Sequence, residues 1–283
     1  EAAPGNAEPL ISGSETSLLQ LGTAYSTFAN LGSRSGRLDP DSGTIVPETV
    51  LGVTSVSGWV LLEHAATQNL VILSEPLAYL VNHVLSDESA RWPSQGYPNA
   101  LEIGQTVAAK VGSADDHHQV WAVGYNPERL VLVWMGNRSA TGVELPERVT
   151  AGLWHAVFKY ATRGSQFNGW VAPAGITEMK VCTPSGMLPT SDCPQIVTDV
   201  FLYGNEPSTP DTLYKTVKVN RETGLLATVF TPPELVEERI YIDVPAEARA
   251  WAAAAGIELA PQGYDTIQPQ RADPRVKISD PSL

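Results

Sequence analysis

Cysteine, methionine, basic residues and long apolar runs are what this 283-residue chain has least of. No apolar run approaches the roughly 18 residues needed to span a bilayer, so no segment reads as a membrane span. Lys and Arg number 18 against 31 Asp and Glu, a net charge of -13. That balance excludes a nucleic-acid partner, whose binding rests on a positive footprint. The first residues, EAAPGNAEPL, lack the basic region and apolar stretch of a secretory signal, so any targeting element is expected to have been removed or to lie upstream. Two cysteines cannot build a four-cysteine metal knuckle. No G-x-S-x-G elbow, internal repeat or low-complexity tract is present.

With 43% apolar and 17% charged residues, the chain reads as soluble and globular. Its length can bury a sizeable core, and more than one domain is expected. Cys182 and Cys193 have Pro and Gly between them, a spacing that suits a small closed loop. The pair reads as a disulfide; the alternative is two free thiols in a reducing cell. A disulfide here would be worth about 2 to 3 kcal/mol by chain entropy and would require an oxidising, extracytoplasmic setting.

Ser17 and Gln20 form a capping box, and Leu18, Leu21, Tyr25 and Phe28 then mark one stripe before Asn30 and Gly32 stop the helix. A polar, turn-rich stretch over 36–43 leads to one or two strands between Ile45 and Leu62. A second helix is predicted with Ser74 as cap, Pro76 in its first turn, and Leu77, Leu80, Val81, Val84 and Leu85 on its apolar period. Residues 86–99 read as a surface loop. Three adjacent antiparallel strands follow over 106–113, 119–125 and 130–135, and a helix over 146–161 carries Val149, Leu153, Trp154, Val157 and Phe158 toward them. Past Gly164 prolines punctuate short β-prone runs, which places a boundary near residue 166. Strands are expected at 216–219, 226–230 and 239–243, then a short helix over 245–255, with a mobile tail beyond Pro261. The fold class is α+β: an antiparallel sheet packed with helices over 1–166, then a small Pro-rich, β-containing extension over 167–283.

The chemistry concentrates at Lys110-Val111-Gly112-Ser113. In a regular strand Lys110 and Gly112 share one face while Val111 and Ser113 share the other. On an edge strand Lys110 supplies positive charge, Gly112 lets a substrate approach the backbone, and the Ser113 amide can donate into an oxyanion hole. The plainer alternative is a lysine on a solvent-facing strand beside a turn glycine.

Three segments together resemble one family: SLLQLGTAYSTFANLG at 17–32, AAKVGSADDHHQVWAVGYNPERLVLVWMGN at 108–137, and VCTPSGMLPTSDCP at 181–194. They are similar to the C-terminal part of the transpeptidase domain of bifunctional (class A) penicillin-binding proteins, the cell-wall cross-linking enzymes. The third looks like the proline-rich extension of some members. The resemblance covers about residues 10–165 well and the remainder loosely. It implies serine-type acyl transfer on a D-Ala-D-Ala stem peptide or a β-lactam, without a cofactor, in the cell envelope.

That family carries S-x-x-K, S-x-N and K-[TS]-G motifs, related to forms known in β-lactam-binding enzymes. Only the third can be placed, at Lys110, with Val111 where the family has a hydroxyl. None of the six lysines has Ser three positions before it and no Ser has Asn two positions after it. The Y-x-N at Tyr203-Gly204-Asn205 lies in the extension and reads as coincidence. No catalytic residue is therefore assigned; Lys110, Val111, Gly112 and Ser113 are the substrate-binding candidates. The resemblance leaves two accounts, a portion of a longer enzyme whose upstream part holds the serine and membrane anchor, or a non-catalytic wall-associated scaffold. If Val111 removes a donor for the substrate carboxylate, the unpaired group costs about 1 to 3 kcal/mol, which Ser113 can offset. Asp115, Asp116, His117 and His118 are dense in ligand types, but adjacent histidines on a strand point to opposite faces, and a polar turn is the expected reading rather than a metal site. His64 and His155 read as packed or surface histidines, and Trp121, Tyr125 and Trp134 as fillers of the sheet core.

Overall fold

The structure, a computed structural model, describes residues 16–63, 67–113, 118–136 and 144–266. It is a mixed α+β chain of two compact units, residues 1–176 and 177–283. The division lies beyond residue 166 because Trp170 belongs to the first unit. Its indole meets the Tyr125 ring edge-on at 5.8 Å and its Nε1 donates to the Ala29 carbonyl at 3.0 Å.

The first unit opens with α1 (Leu18–Ala29). Its capping box is formed: Gln20 N donates to Ser17 Oγ at 3.2 Å, and Ser17 N donates to Gln20 Oε1 at 2.9 Å. The helix stops through Asn30 at Gly32, whose φ is +91° and whose Cβ, if present, would lie 2.3 Å from the Leu73 carbonyl oxygen. Three short strands pair antiparallel in the order β2-β1-β5, with β1 at Ser33–Leu38, β2 at Ile45–Val46 and β5 at Gln68–Val71. β1 and β5 lack a clear two-residue alternation, and neither was expected. A separate hairpin joins β3 (Gly52–Thr54) and β4 (Val60–Glu63).

Helix α2 (Glu75–Ser86) begins after Ser74, whose side chain makes no capping bond; Pro76 sits in its first turn. The expected loop after it is instead α3 (Glu88–Gln95). Asp87 is the reason, since its Oδ1 accepts the amides of Ser89 at 2.9 Å and Ala90 at 3.2 Å. A cap and local hydrogen bonds build this helix without an apolar stripe, and none of its residues is buried.

Strands β6 (Ala108–Ser113), β7 (Gln119–Tyr125) and β8 (Leu130–Gly136) form an antiparallel sheet with β6 and β8 at its edges. Asn126 makes the β7–β8 turn, its Oδ1 accepting from the amides of Glu128 and Arg129. Helix α4 (Glu147–Ala161) packs on one side, burying Thr150, Ala151, Trp154 and Phe158. Val149, Leu153 and Val157, expected to face the sheet, are exposed. The docking phase is set by Trp154, which lies over the Gly124 backbone: a Cβ on Gly124 would come within 2.0 Å of the indole. Trp154 Nε1 donates to the Val131 carbonyl at 3.1 Å. Trp154 and Phe158 thus complete a core with Leu101, Val107, Val111 and Val120.

The second unit pairs β9 (Ile176–Cys182) with β10 (Ile196–Leu202), and β11 (Tyr214–Asn220) with β12 (Val236–Ile242). Cys182 and Cys193 form a disulfide. The strand expected at 226–230 is absent; Leu226 makes single bridges to Val219 and Tyr264. The C-terminal helix is a 3-10 turn at Ala246–Ala248 continued by α5 (Arg249–Ala254). The expected mobile tail is corrected in part, since residues up to 266 are built into the unit through Tyr264 and Asp265. Residues 267–283 lie outside the described ones.

Candidate functional site

The β6-β7-β8 sheet has two unlike faces. Strand alternation and register put Ala109, Val111 and Ser113 on the α4 side, and Lys110, Gly112, Trp121 and Trp134 on the other. Helices α1 and α2 cover only the end of that second face where Ala108, Tyr125 and Leu130 lie, with Tyr25, Phe28 and Leu85 packed against them. Among the described residues nothing covers the remaining end. Lys110 and Gly112 are exposed on the edge strand, and a Cβ on Gly112 would meet nothing within 4 Å. Trp121 and Trp134 pair across β7 and β8 with ring centroids 6.2 Å apart. Trp134 is 44% exposed, so it borders the open end of the face rather than filling the core.

Of the four candidates, two sit together and two do not. Val111 is buried in the α4 core. A hydroxyl there would face the same apolar surroundings, so the expected loss of a donor in a cleft does not follow from this geometry. Ser113 donates its hydroxyl to Glu147 Oε1 at 3.1 Å, and Gln95 Nε2 donates to Glu147 Oε2 at 3.1 Å. Glu147 stands in the first turn of α4, where the helix dipole favours a carboxylate. The Ser113 side chain therefore anchors the end of β6 to α4, facing away from Lys110.

Asp115, Asp116, His117 and His64 lie outside the described residues. His155 Nδ1 lies 3.0 Å from the Ala100 carbonyl oxygen, a packing contact.

Two polar features escaped sequence reasoning. Asn82 is fully buried on α2, donating Nδ2 to the Phe28 carbonyl at 2.7 Å while Tyr125 Oη donates to its Oδ1 at 2.8 Å. Burial, and then the nearby Tyr25, push the Tyr125 hydroxyl well above the usual phenol range, so it stays a donor. The one sequence signal was an amide inside an otherwise apolar stripe. In the second unit, Asp265 accepts from Asn220 Nδ2 at 2.8 Å, Thr231 Oγ1 at 2.9 Å and Thr223 Oγ1 at 3.3 Å. These hydrogen bonds, that of Asn220 first, hold its carboxyl below the ordinary aspartate value.

The fold is similar to that of a solved penicillin-binding protein. The crystal structure of penicillin-binding protein 1A from Haemophilus influenzae superposes over 72% of this chain and 34% of its own, with TM-score 0.58 and 17% identity. The particular likeness is to penicillin-binding protein 1A, to which most of this chain's length is similar in sequence. The protein of that name from Clostridium novyi (strain NT) is 24% identical over 233 residues, 80% of this chain and 26% of the relative. Its namesake in Clostridium botulinum (strain Langeland) is 26% identical over 237 residues, 80% of this chain and 27% of the relative. The chain thus spans about a quarter of the length of these curated relatives. The family model "Penicillin-binding protein 1A, C-terminal domain" matches residues 172–216, which carry β9, the disulfide and β10.

Proposed function

We propose that this chain is the C-terminal portion of the transpeptidase region of a penicillin-binding protein, with residues 177–283 as its extension, and that β6 forms one wall of its acyl-transfer cleft. The observation that carries this reading is the open end of the second sheet face, where Lys110 and Gly112 stand exposed on an edge strand. A carboxylate-terminated stem peptide or a β-lactam laid along β6 would meet the Lys110 ammonium and approach the backbone at Gly112, where no side chain intervenes. The attacking serine would come from an upstream part of the same protein, which would attack the D-Ala-D-Ala amide, release the terminal alanine and yield the acyl-enzyme to a neighbouring stem amine. The acyl transfer calls for no cofactor.

Two further features support a longer protein in the cell envelope. Leu18, Leu19, Leu130 and Leu132 line an apolar cavity of about 510 Å³ between α1 and β8, a seat for the rest of the polypeptide. The disulfide fits an oxidising, extracytoplasmic compartment. Among the described residues no helix is long and apolar enough to cross a membrane.

A fluorescent penicillin tests the reading. It should label the longer protein, lose that label when the upstream serine is substituted, and acylate more slowly in Lys110→Ala. The 283-residue chain by itself should take none. Label on the isolated chain, or undiminished label in Lys110→Ala, would overturn it. A second reading is a non-catalytic scaffold of the cell wall. It predicts that the longer protein takes no label.

A further inference from the structure

The first unit holds a second concavity at the entry end of β6, away from Gly112. A cavity of about 510 Å³ lies between residues 103–106 and the turn at 162–168 that follows α4, a volume within the range of small-molecule sites. Its walls carry chemistry unlike the open sheet face. Gln105, Gln166 and Asn168 bring planar amides, and Phe167 brings one aromatic ring. Lys159 and Arg163 bring two cations, and among the described residues no carboxylate lines the cavity.

Gln105 and Phe167 are held before any ligand arrives. Gln105 Nε2 reaches Thr162 Oγ1 at 3.4 Å. Gly169, at φ +101°, turns the chain back so that a Cβ placed on it would lie 3.7 Å from the Thr106 side chain. The Phe167 ring meets Trp170 edge-on at 5.2 Å, and Trp170 is itself fixed to the Ala29 carbonyl, so the ring is pre-oriented.

The charge is the more unusual feature. In a chain of net charge -13, Lys159 and Arg163 have no acidic partner among the described residues; Arg163 rests over the Tyr160 ring at 3.9 Å. Cations commonly offset the negative end of a helix, and α4 ends at Ala161. That end carries only about half a unit charge, however, so two full charges leave the cavity positive.

We propose that this cavity binds an anionic saccharide. A sugar ring lies on Phe167, its hydroxyls exchange hydrogen bonds with the amides, and its acid group sits between Lys159 and Arg163. A neutral sugar would use only the first two features, and a bare anion only the last.

Titration of the 283-residue chain with glucuronate, glucose and inorganic phosphate, followed by NMR shifts of residues 103–106 and 162–168, separates these cases. Glucuronate should bind about tenfold more tightly than either glucose or phosphate, the scale of one or two charge-assisted hydrogen bonds. The double variant Lys159→Gln/Arg163→Gln, which alters two exposed side chains, should reduce glucuronate to the level of glucose. Phe167→Leu should weaken both sugars, provided its melting temperature and backbone spectrum match the parent chain. Absence of saturable glucuronate shifts, phosphate binding as tight as glucuronate, or an acid preference surviving in the double variant would each overturn the proposal.

Discussion

The two units hold themselves together in different ways. The first sandwiches one three-stranded sheet between helices and buries whole aromatic side chains, Trp154, Phe158 and Tyr125 among them. The second has two-stranded sheets, and its fully buried apolar residues are few and small, chiefly Val181, Val219 and Ala252. A two-stranded sheet is marginal on its own in water. Cross-links do part of the work that apolar area does elsewhere: the Cys182–Cys193 disulfide ties one end of the second unit, and the Asp265 carboxylate ties β11, the loop at Thr231 and the end of the described chain. Where a sheet can be covered, packing suffices; where it cannot, staples and buried polar hubs take over.

The largest expected effect that would sharpen this contrast is Trp154→Ala. Removing a fully buried indole from the sheet–helix core should cost about 3 to 5 kcal/mol. Chemical denaturation should show it, with hydrogen-exchange protection lost in β6, β7 and β8 and retained in β11 and β12. Protection lost equally in both units would break the comparison.

Next comes Cys193→Ser. Opening this short loop should lower stability by about 2 to 3 kcal/mol by the chain-entropy account. The loss should appear as reduced protection of β9 and β10, with the first unit's melting unmoved, and a melting curve indifferent to the substitution would show that the second unit does not depend on its staple.

Tyr125→Phe should cost about 1 to 3 kcal/mol, since it leaves buried Asn82 Oδ1 without its donor. The double variant Tyr125→Phe/Asn82→Leu should recover part of that loss in denaturant melts, because no unpaired acceptor remains. Equal losses in the single and double variants would mean that volume, not hydrogen bonding, matters at this position.

The smallest effect is one of pH. The Asp265 carboxyl is held below its ordinary value by Asn220 and then Thr231, so the folded state binds its proton less readily than the unfolded chain does. Its contribution is fully present above the unfolded value near 4 and is lost as pH falls through the lower folded value. Melting of the second unit should therefore decline on acidification below about pH 4, and less steeply in Asp265→Asn. Identical acid profiles would remove Asp265 as the hub.

Much of the first unit was legible because its signals are local. The Ser17–Gln20 capping box, the run of alternating residues from Ala108 to Gly136, and the Asn126 turn each act within a few residues. α3 was missed because Asp87, not apolar periodicity, starts it. Helix α4 was found, and Trp154 and Phe158 face the sheet as expected, whereas Val149, Leu153 and Val157 do not: they mark as good an apolar stripe as Ala151, Trp154 and Phe158, and the bare Gly124 backbone opposite selects the latter. In the extension, β-prone residues over 226–230 promised a strand, yet Val229 and Phe230 are exposed in a turn held by Thr228 and Thr231. Asp265 gave no sequence signal, because its partners lie 34 to 45 positions away.

By itself the sequence determined where β6, β7 and β8 run, that Lys110 and Gly112 share a face, and which two cysteines stood close enough to join. Those are matters of period and short loops, written in neighbouring residues. Tertiary structure alone decided that Val111 belongs to a core, that Ser113 is engaged by Glu147, that Trp134 borders an open surface and that Lys159 and Arg163 share a cavity. Which side of a strand is covered, and which distant group completes a buried one, depends on what the rest of the chain brings against it.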